Sequence, residues 1–172
     1  MYHINSAETI EVFYNIRTDL DKLKYATYVT KIVNDVTCEN QNSYSIMQLY
    51  LNTLHIIAKE DKNLELVMSS LRLRLLSIIG FKPIITECAN CKNKEGISFF
   101  SIKDDGFKCM ECGKQDKSVV QISETTKDAI RYIILAEPKK VFSFNLPEES
   151  EKELEIISKI YLTEKIEKEY KL

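Results

Sequence analysis

Four cysteines form two pairs with the spacing of metal ligands. Residues 92–108 separate the pairs, which is the interval typical of zinc ribbons. Two residues between cysteines allow a tight turn to aim both sulfurs at one point, and four converging thiolates complete a tetrahedral Zn²⁺ shell. Such a closed shell is structural, because it leaves no position for an activated water. The predicted zinc ligands are Cys88, Cys91, Cys109 and Cys112.

The same cysteines are compatible with other chemistry. Two disulfides, a redox dithiol in one pair and an iron–sulfur cluster all use such residues. The even two-plus-two spacing favours zinc over iron–sulfur, and the βαβ setting of a redox dithiol is absent. Gly113 follows the second pair, where we expect a positive φ. Cys38 stands alone and is predicted to be a small, partly buried residue rather than a ligand.

Helical periodicity precedes the cysteine segment. Three helices are predicted there, because apolar residues recur at steps of three and four. The third begins near Asn63, ends at Gly80 and is apolar nearly all round, so we expect it to be the central helix. The apolar faces comprise Leu20, Leu23, Ala26, Val29, Ile32 and Val36, then Tyr44, Met47, Leu51, Leu54 and Ala58, then Leu64, Val67, Met68, Leu71, Leu75 and Ile78.

Cap residues mark several predicted helix starts. Thr18 is the predicted cap of the first long helix, with Asp19 near its positive end. Ser123 begins a helix after the cysteine segment. Pro147 opens the last helix, and Asn145 is a candidate cap for it.

The sequence predicts a mainly α fold, a helical bundle with a small four-cysteine zinc ribbon inserted. Residues 18–83 and 121–172 form the helical domain, and residues 84–120 form the insertion. Short apolar pieces in the insertion, Ile97–Phe100 and Val119–Val120, suit strands rather than helices. The helical faces on both sides of the insertion must pack together, because neither half alone hides its apolar stripes.

Length, composition and charge narrow the possible functions. The 172 residues suit about one domain, and only 4 Gly and 3 Pro argue against an all-β sandwich. With 44% hydrophobic residues, the chain is not mostly disordered. A net charge of −2 means that nucleic-acid binding would need a local basic patch. No apolar run reaches the ~20 residues of a membrane span and no signal peptide is recognisable, so we expect a cytoplasmic protein.

Catalytic patterns are weak in this sequence. It contains no Gly-rich phosphate loop, Ser nucleophile elbow or His-Glu metalloprotease motif. The two histidines, His3 and His55, suit surface or core positions better than catalysis. We therefore expect a protein that is not an enzyme, and a thiol reductase using one cysteine pair is the remaining catalytic hypothesis.

Two arginines interrupt the most apolar helix. Arg72 and Arg74 lie about 200° apart around that helix, so at most one can share a given surface. One interpretation is a solvent-facing arginine plus one paired with a carboxylate. The other is that one lines a groove for an acidic or carboxylate-ended peptide.

In the insertion, the positive charges of the lysines balance the negative charges of the carboxylates. The phenylalanines there either form the core of the ribbon or stack on nucleic-acid bases.

The chain resembles the RecO family of bacterial recombination mediators over nearly its whole length. The order of loose motifs around the four cysteines makes the match specific. The segment Tyr2–Ile10 is similar to the family's exit from its N-terminal OB-fold, so residues 1–17 are predicted to be a remnant of that exit and a linker. The other matching segments are Asp19–Tyr28, Leu71–Leu76, Gly80–Pro83 and Ser150–Leu154.

This resemblance implies a function in DNA repair and homologous recombination. RecO proteins bind single- and double-stranded DNA, anneal strands, and load RecA together with RecR and single-stranded-DNA-binding protein. The helical domain takes up the acidic tail of the latter, which fits a groove at Arg72 or Arg74. The family's OB-fold is absent from this sequence, so we expect weak DNA binding by a cytoplasmic, nucleoid-associated protein. The alternative is a zinc-ribbon adaptor that binds only proteins.

Overall fold

A computed structural model describes residues 3, 5–37, 43–59 and 61–172. Cys38, and the motif residues Tyr2 and Ile4, lie outside the described residues. The described helices are α1 (Tyr14–Arg17), α2 (Leu20–Val36), α3 (Tyr44–Lys59), α4 (Leu64–Ile78), α5 (Met110–Lys114), α6 (Glu124–Leu135) and α7 (Glu148–Ile166). The described strands are β1 (Ile97–Ser101), β2 (Gly106–Cys109) and β3 (Val119–Gln121). The predicted fold class, a mainly helical bundle with an inserted four-cysteine module, is confirmed.

Helix α4 lies at the centre of the bundle, as its nearly uniform apolar surface predicts. Most of its residues are buried, and it packs against α3, α6 and α7. The Asn63 side chain caps its start by accepting a hydrogen bond from the Glu65 N–H at 3.0 Å. Gly80 adopts a φ of +107° just beyond its end, and the Phe81 N–H returns to the Leu76 carbonyl at 2.8 Å. This reversal directs the chain out of the bundle and into the insertion.

Two helix starts differ from the sequence prediction. Asp19, and not Thr18, caps α2, because its carboxylate accepts from the N–H groups of both Asp21 and Lys22. A carboxylate at this position also interacts favourably with the positive end of the helix. Helix α7 has Pro147, and not Asn145, at its cap position without a side-chain hydrogen bond. Three glutamates in its first turn provide the compensating negative charge.

The insertion contains a three-stranded antiparallel sheet in the order β2-β1-β3. The two apolar pieces of the sequence form β1 and β3, and β2 runs back along β1 to the second cysteine pair. Phe100 and Phe107 are fully buried and meet edge to face with ring centroids 6.2 Å apart. They form the core of the insertion, so their faces are not available for stacking on bases.

The insertion packs directly onto the helical bundle. The Phe100 ring meets the buried Tyr161 ring of α7 edge to face at 5.4 Å. From α6, the Arg131 guanidinium lies over the Phe107 ring at 5.4 Å and its Nε donates to the Ile85 carbonyl at 3.0 Å. One continuous apolar core therefore joins the cysteine module to α6 and α7.

Arg72 occupies the middle of this core and is fully buried. Its Nε donates to the Tyr28 hydroxyl at 2.7 Å, and the guanidinium carbon lies 5.1 Å from the Tyr28 ring centroid. Its Nη1 donates to the Ser158 hydroxyl at 3.4 Å, whereas Nη2 has no partner. In the part of the chain that the structure describes, no carboxylate forms an ion pair with it. A buried cation held by hydroxyl groups makes each of these bonds costly to remove.

We predict that Tyr28→Phe destabilises the protein by about 2 kcal/mol, because it removes the closest hydrogen-bond acceptor of a buried guanidinium. Urea unfolding followed by circular dichroism measures the change. The control is Tyr14→Phe, which alters an exposed tyrosine. Equal stabilities of Tyr28→Phe and the wild-type chain would contradict the importance of this bond.

Candidate metal centre

The four predicted ligands converge at one end of the inserted sheet. Their Sγ atoms all lie within 4.8 Å of one another, and Cys91 Sγ is 3.7 Å from Cys109 Sγ. A tetrahedron with metal–sulfur bonds of ~2.3 Å has sulfurs about 3.8 Å apart, whereas a disulfide has ~2.05 Å. All four cysteines are free, which contradicts the two-disulfide alternative. The cluster has the donor set and spacing to hold a metal ion.

Backbone hydrogen bonds shape the first cysteine pair into a tight turn. The Cys88 N–H donates to the Asn93 carbonyl at 2.7 Å, and the Lys92 N–H donates to the Cys88 carbonyl at 3.0 Å. Lys92 adopts a left-handed φ of 63° at the end of this turn. The Ala89 N–H also donates to the Phe107 carbonyl at 2.7 Å, which fixes the turn beside β2.

The second pair spans the junction between a strand and a short helix. Cys109 ends β2, and α5 carries Cys112 one turn later. The prediction that Gly113 needs a positive φ is wrong. The glycines with a positive φ are Gly80 and Gly96, and Gly113 is not among them. Its requirement is space instead: a Cβ at Gly113 would lie 2.2 Å from the Phe99 ring. The glycine lets α5 pack flat against β1.

The surroundings of the sulfurs shift the pKa values of Cys88 and Cys91 in opposite directions. Burial raises the pKa of Cys88, but hydrogen bonds from the backbone N–H groups of Cys91, Cys109 and Asn90 outweigh it and lower that pKa to about 6. At Cys91, the Asn93 backbone N–H lowers the pKa, yet the three neighbouring sulfurs raise it to about 12. Cys88 therefore loses its proton easily, whereas Cys91 resists losing its own. A cation bound by the four sulfurs would favour the deprotonated form of Cys91, because it would compensate the negative charge of the thiolates.

A buried ion pair holds the strands next to the cysteines. The Lys108 ammonium, which is almost fully buried in β2, contacts Asp104 and lies 2.6 Å from the Asp116 carboxylate. Asp116 also accepts from the Ser101 hydroxyl at 2.9 Å and from the Ser118 N–H at 2.8 Å. This pair is not predictable from the sequence, where Lys108 and Asp116 are two of many lysines and carboxylates whose charges balance. No sequence pattern distinguishes Lys108 from the exposed lysines around it.

The two arginines do not lie together. Arg72 is inside the core and has no solvent-exposed surface. Arg74 is half-buried and points to the end of α6, where its guanidinium donates to the carbonyls of Ile133, Ile134 and Ala136. Burial lowers the pKa of Arg74. These bonds satisfy the last carbonyl groups of α6, which have no partner within the helix. Neither arginine is paired with a carboxylate among the described residues.

The fold and the cysteine cluster define a class of protein: a helical domain that carries an inserted four-cysteine module. Residues 17–172 match the family described as "Recombination protein O C terminal". The chain belongs to this family, and the resemblance noted in the sequence is confirmed.

Similar proteins share the description "DNA repair protein RecO". The protein of Acetivibrio thermocellus is 38% identical over 171 residues, which are 99% of this chain and 68% of that protein. That of Alkaliphilus metalliredigens is 32% identical over 142 residues, covering 82% of this chain and 58% of that protein. A Thermoanaerobacter protein is 27% identical over 170 residues, 68% of its length. The relatives are thus longer than this chain.

Among the described helices, none has the length and apolar content to cross a bilayer.

We predict that Asp116→Asn lowers the free energy of unfolding by about 2 kcal/mol at pH 7. The Lys108 ammonium, with the Ser118 N–H and hydroxyl, holds the pKa of Asp116 well below its usual range. Its stabilisation is therefore complete above the ordinary carboxyl pKa of ~3.9 and is lost as the pH falls further. The difference between wild type and variant should shrink in acid.

Urea titrations at several pH values between 7 and 3 test this dependence, with Glu111→Gln as the control. Glu111 is an exposed carboxylate of the same module. Effects of acid on the rest of the module are common to both variants and cancel in the comparison. A deficit of Asp116→Asn that stays constant with pH, or is missing at pH 7, would refute the prediction.

Proposed function

We propose that Cys88, Cys91, Cys109 and Cys112 bind one structural Zn²⁺. The sulfur separations and the all-thiolate donor set support this ion, since four thiolates in a tetrahedral arrangement are typical of zinc. The ion would compensate the charge of the thiolates and hold the two turns of the module together. Because the donor set is complete without water, its contribution is to folding rather than to chemistry.

The expected metal content is one zinc per chain after purification without chelators. Cys109→Ser should bind less than one equivalent, because three thiolates leave the shell incomplete. Cys38→Ser is the matched control and should keep one zinc. Elemental analysis of the three proteins measures this. A wild-type chain without zinc would refute the proposal, as would a Cys109→Ser variant with a full equivalent.

We infer that the protein is a non-enzymatic mediator of DNA repair and homologous recombination. The observation that carries this proposal is the family match over residues 17–172, together with relatives described as DNA repair proteins. Within that function, the proposed activities are strand annealing and RecA loading with RecR and single-stranded-DNA-binding protein. The cytoplasm, in association with the nucleoid, is the proposed location.

Of the two candidate partner-binding arginines, we propose Arg74 as the one that an acidic peptide tail could reach. It lies half-buried beside the end of α6, whereas Arg72 is enclosed by α2, α4 and α7. Binding of a carboxylate at Arg74 would compete with the carbonyl groups that its guanidinium now contacts. We therefore expect the affinity of this chain for such a peptide to be modest.

Direct DNA binding by this chain should be weak and sensitive to salt. The net charge of −2 provides little attraction for phosphates, so the few lysine contacts should be lost as salt rises. Fluorescence anisotropy with a labelled single strand, run beside the longer Acetivibrio thermocellus relative, tests this. We expect the affinity to be lower by about tenfold or more. Equal affinities would contradict the prediction.

The second candidate function is a protein-binding adaptor that does not touch DNA. The acidic composition favours it, as does the burial of Phe100 and Phe107, which removes two potential base-stacking surfaces. The same titration separates the two functions. An absence of binding even at low salt would favour the adaptor.

A further inference from the structure

The Asn90 side chain links the two cysteine pairs. Asn90 is the residue immediately before Cys91, and its Nδ2 donates to Cys112 Sγ of the second pair at 3.3 Å. Its backbone N–H meanwhile faces Cys88 Sγ. One residue therefore supplies hydrogen bonds to a sulfur of each pair.

The chemistry of the contact defines which atom must face the sulfur. A thiolate only accepts hydrogen bonds, so the amide nitrogen interacts favourably with it and the amide oxygen would not. Metal-bound thiolates keep much of their negative charge, and groups outside the ligand shell that donate to them orient the ligand. Cys112 is only half-buried, unlike Cys88 and Cys109, so water competes for its sulfur more readily.

We propose that Asn90 is a positioning residue for the metal centre, whose side-chain amide fixes Cys112 Sγ and slows the loss of the bound ion. The inference rests on the proposed zinc site but concerns a residue that is not a ligand. Asn90 is exposed and has no other side-chain hydrogen bond among the described residues. Its role is therefore separable from folding of the core.

The sharpest variant is Asn90→Asp, which keeps the shape of the side chain and replaces the donor by a carboxylate that repels the thiolate. Asn90→Ala removes the donor without adding charge. Both variants retain the backbone N–H that faces Cys88. Lys94→Ala is the matched control, because Lys94 is exposed in the same loop and is not one of the four clustered residues.

The test measures zinc transfer from the full chain to an excess of a chromogenic chelator. We expect release about tenfold faster from Asn90→Ala and faster still from Asn90→Asp, with Lys94→Ala equal to wild type. In Co²⁺-loaded protein, the sulfur-to-cobalt charge-transfer band should shift in the Asn90 variants only. Circular dichroism at zinc saturation establishes that all four proteins are folded.

Two negative outcomes have different meanings. If the wild-type chain binds zinc and both Asn90 variants release it at the wild-type rate with an unshifted cobalt spectrum, the role of Asn90 is refuted and the zinc site stands. If the wild-type chain binds neither Zn²⁺ nor Co²⁺, the proposed zinc site itself fails, and this inference fails with it.

Discussion

Four sulfur atoms held within 4.8 Å of one another impose the main constraint on this molecule. Four thiolates this close would repel one another. The Asn93 backbone N–H lowers the pKa of Cys91, but hydrogen bonds to the neighbouring sulfurs, of which that to Cys88 is the largest, together with burial raise it to about 12. Either protons or a cation must compensate the charge. The backbone of the insertion brings the two cysteine pairs together. Strands β1 and β2 form an antiparallel hairpin between the pairs, and the N–H groups of Ala89 and Met110 donate to the carbonyls of Phe107 and Gly96.

The four-cysteine module is an integral part of the domain. Its core phenylalanines contact Tyr161 of α7 and Arg131 of α6, and the Lys165 ammonium of α7 pairs with Asp105 in the β1–β2 turn. Substitutions in the cysteine cluster should therefore disturb the packing of α6 and α7 before that of the other helices. Helix α4, with Arg72 in its buried middle, ties the helices before the insertion to α7 after it. The helices before and after the insertion pack against each other, in agreement with the pattern of their apolar faces.

Features that follow a periodic or spacing pattern can be predicted from the sequence. The two cysteine pairs, the all-round apolar character of α4, its start near Asn63 and the Ser123 cap are local patterns, and the structure confirms where they lie. Contacts between distant residues leave no such pattern. The burial of Lys108 depends on Asp116, in the loop between α5 and β3, lying beside it in the folded module, which neither residue type reveals. Gly113 is explained by a ring that folding brings above it, not by its own backbone angle.

The most direct test of this account is X-ray absorption at the zinc edge of the purified full chain. It reads the identity and distance of the atoms around the metal without relying on any variant. The account predicts four sulfur neighbours at about 2.3 Å and no nitrogen or oxygen neighbours. A mixed shell with nitrogen or oxygen, or fewer than four sulfurs, would contradict the convergence of both cysteine pairs on one ion.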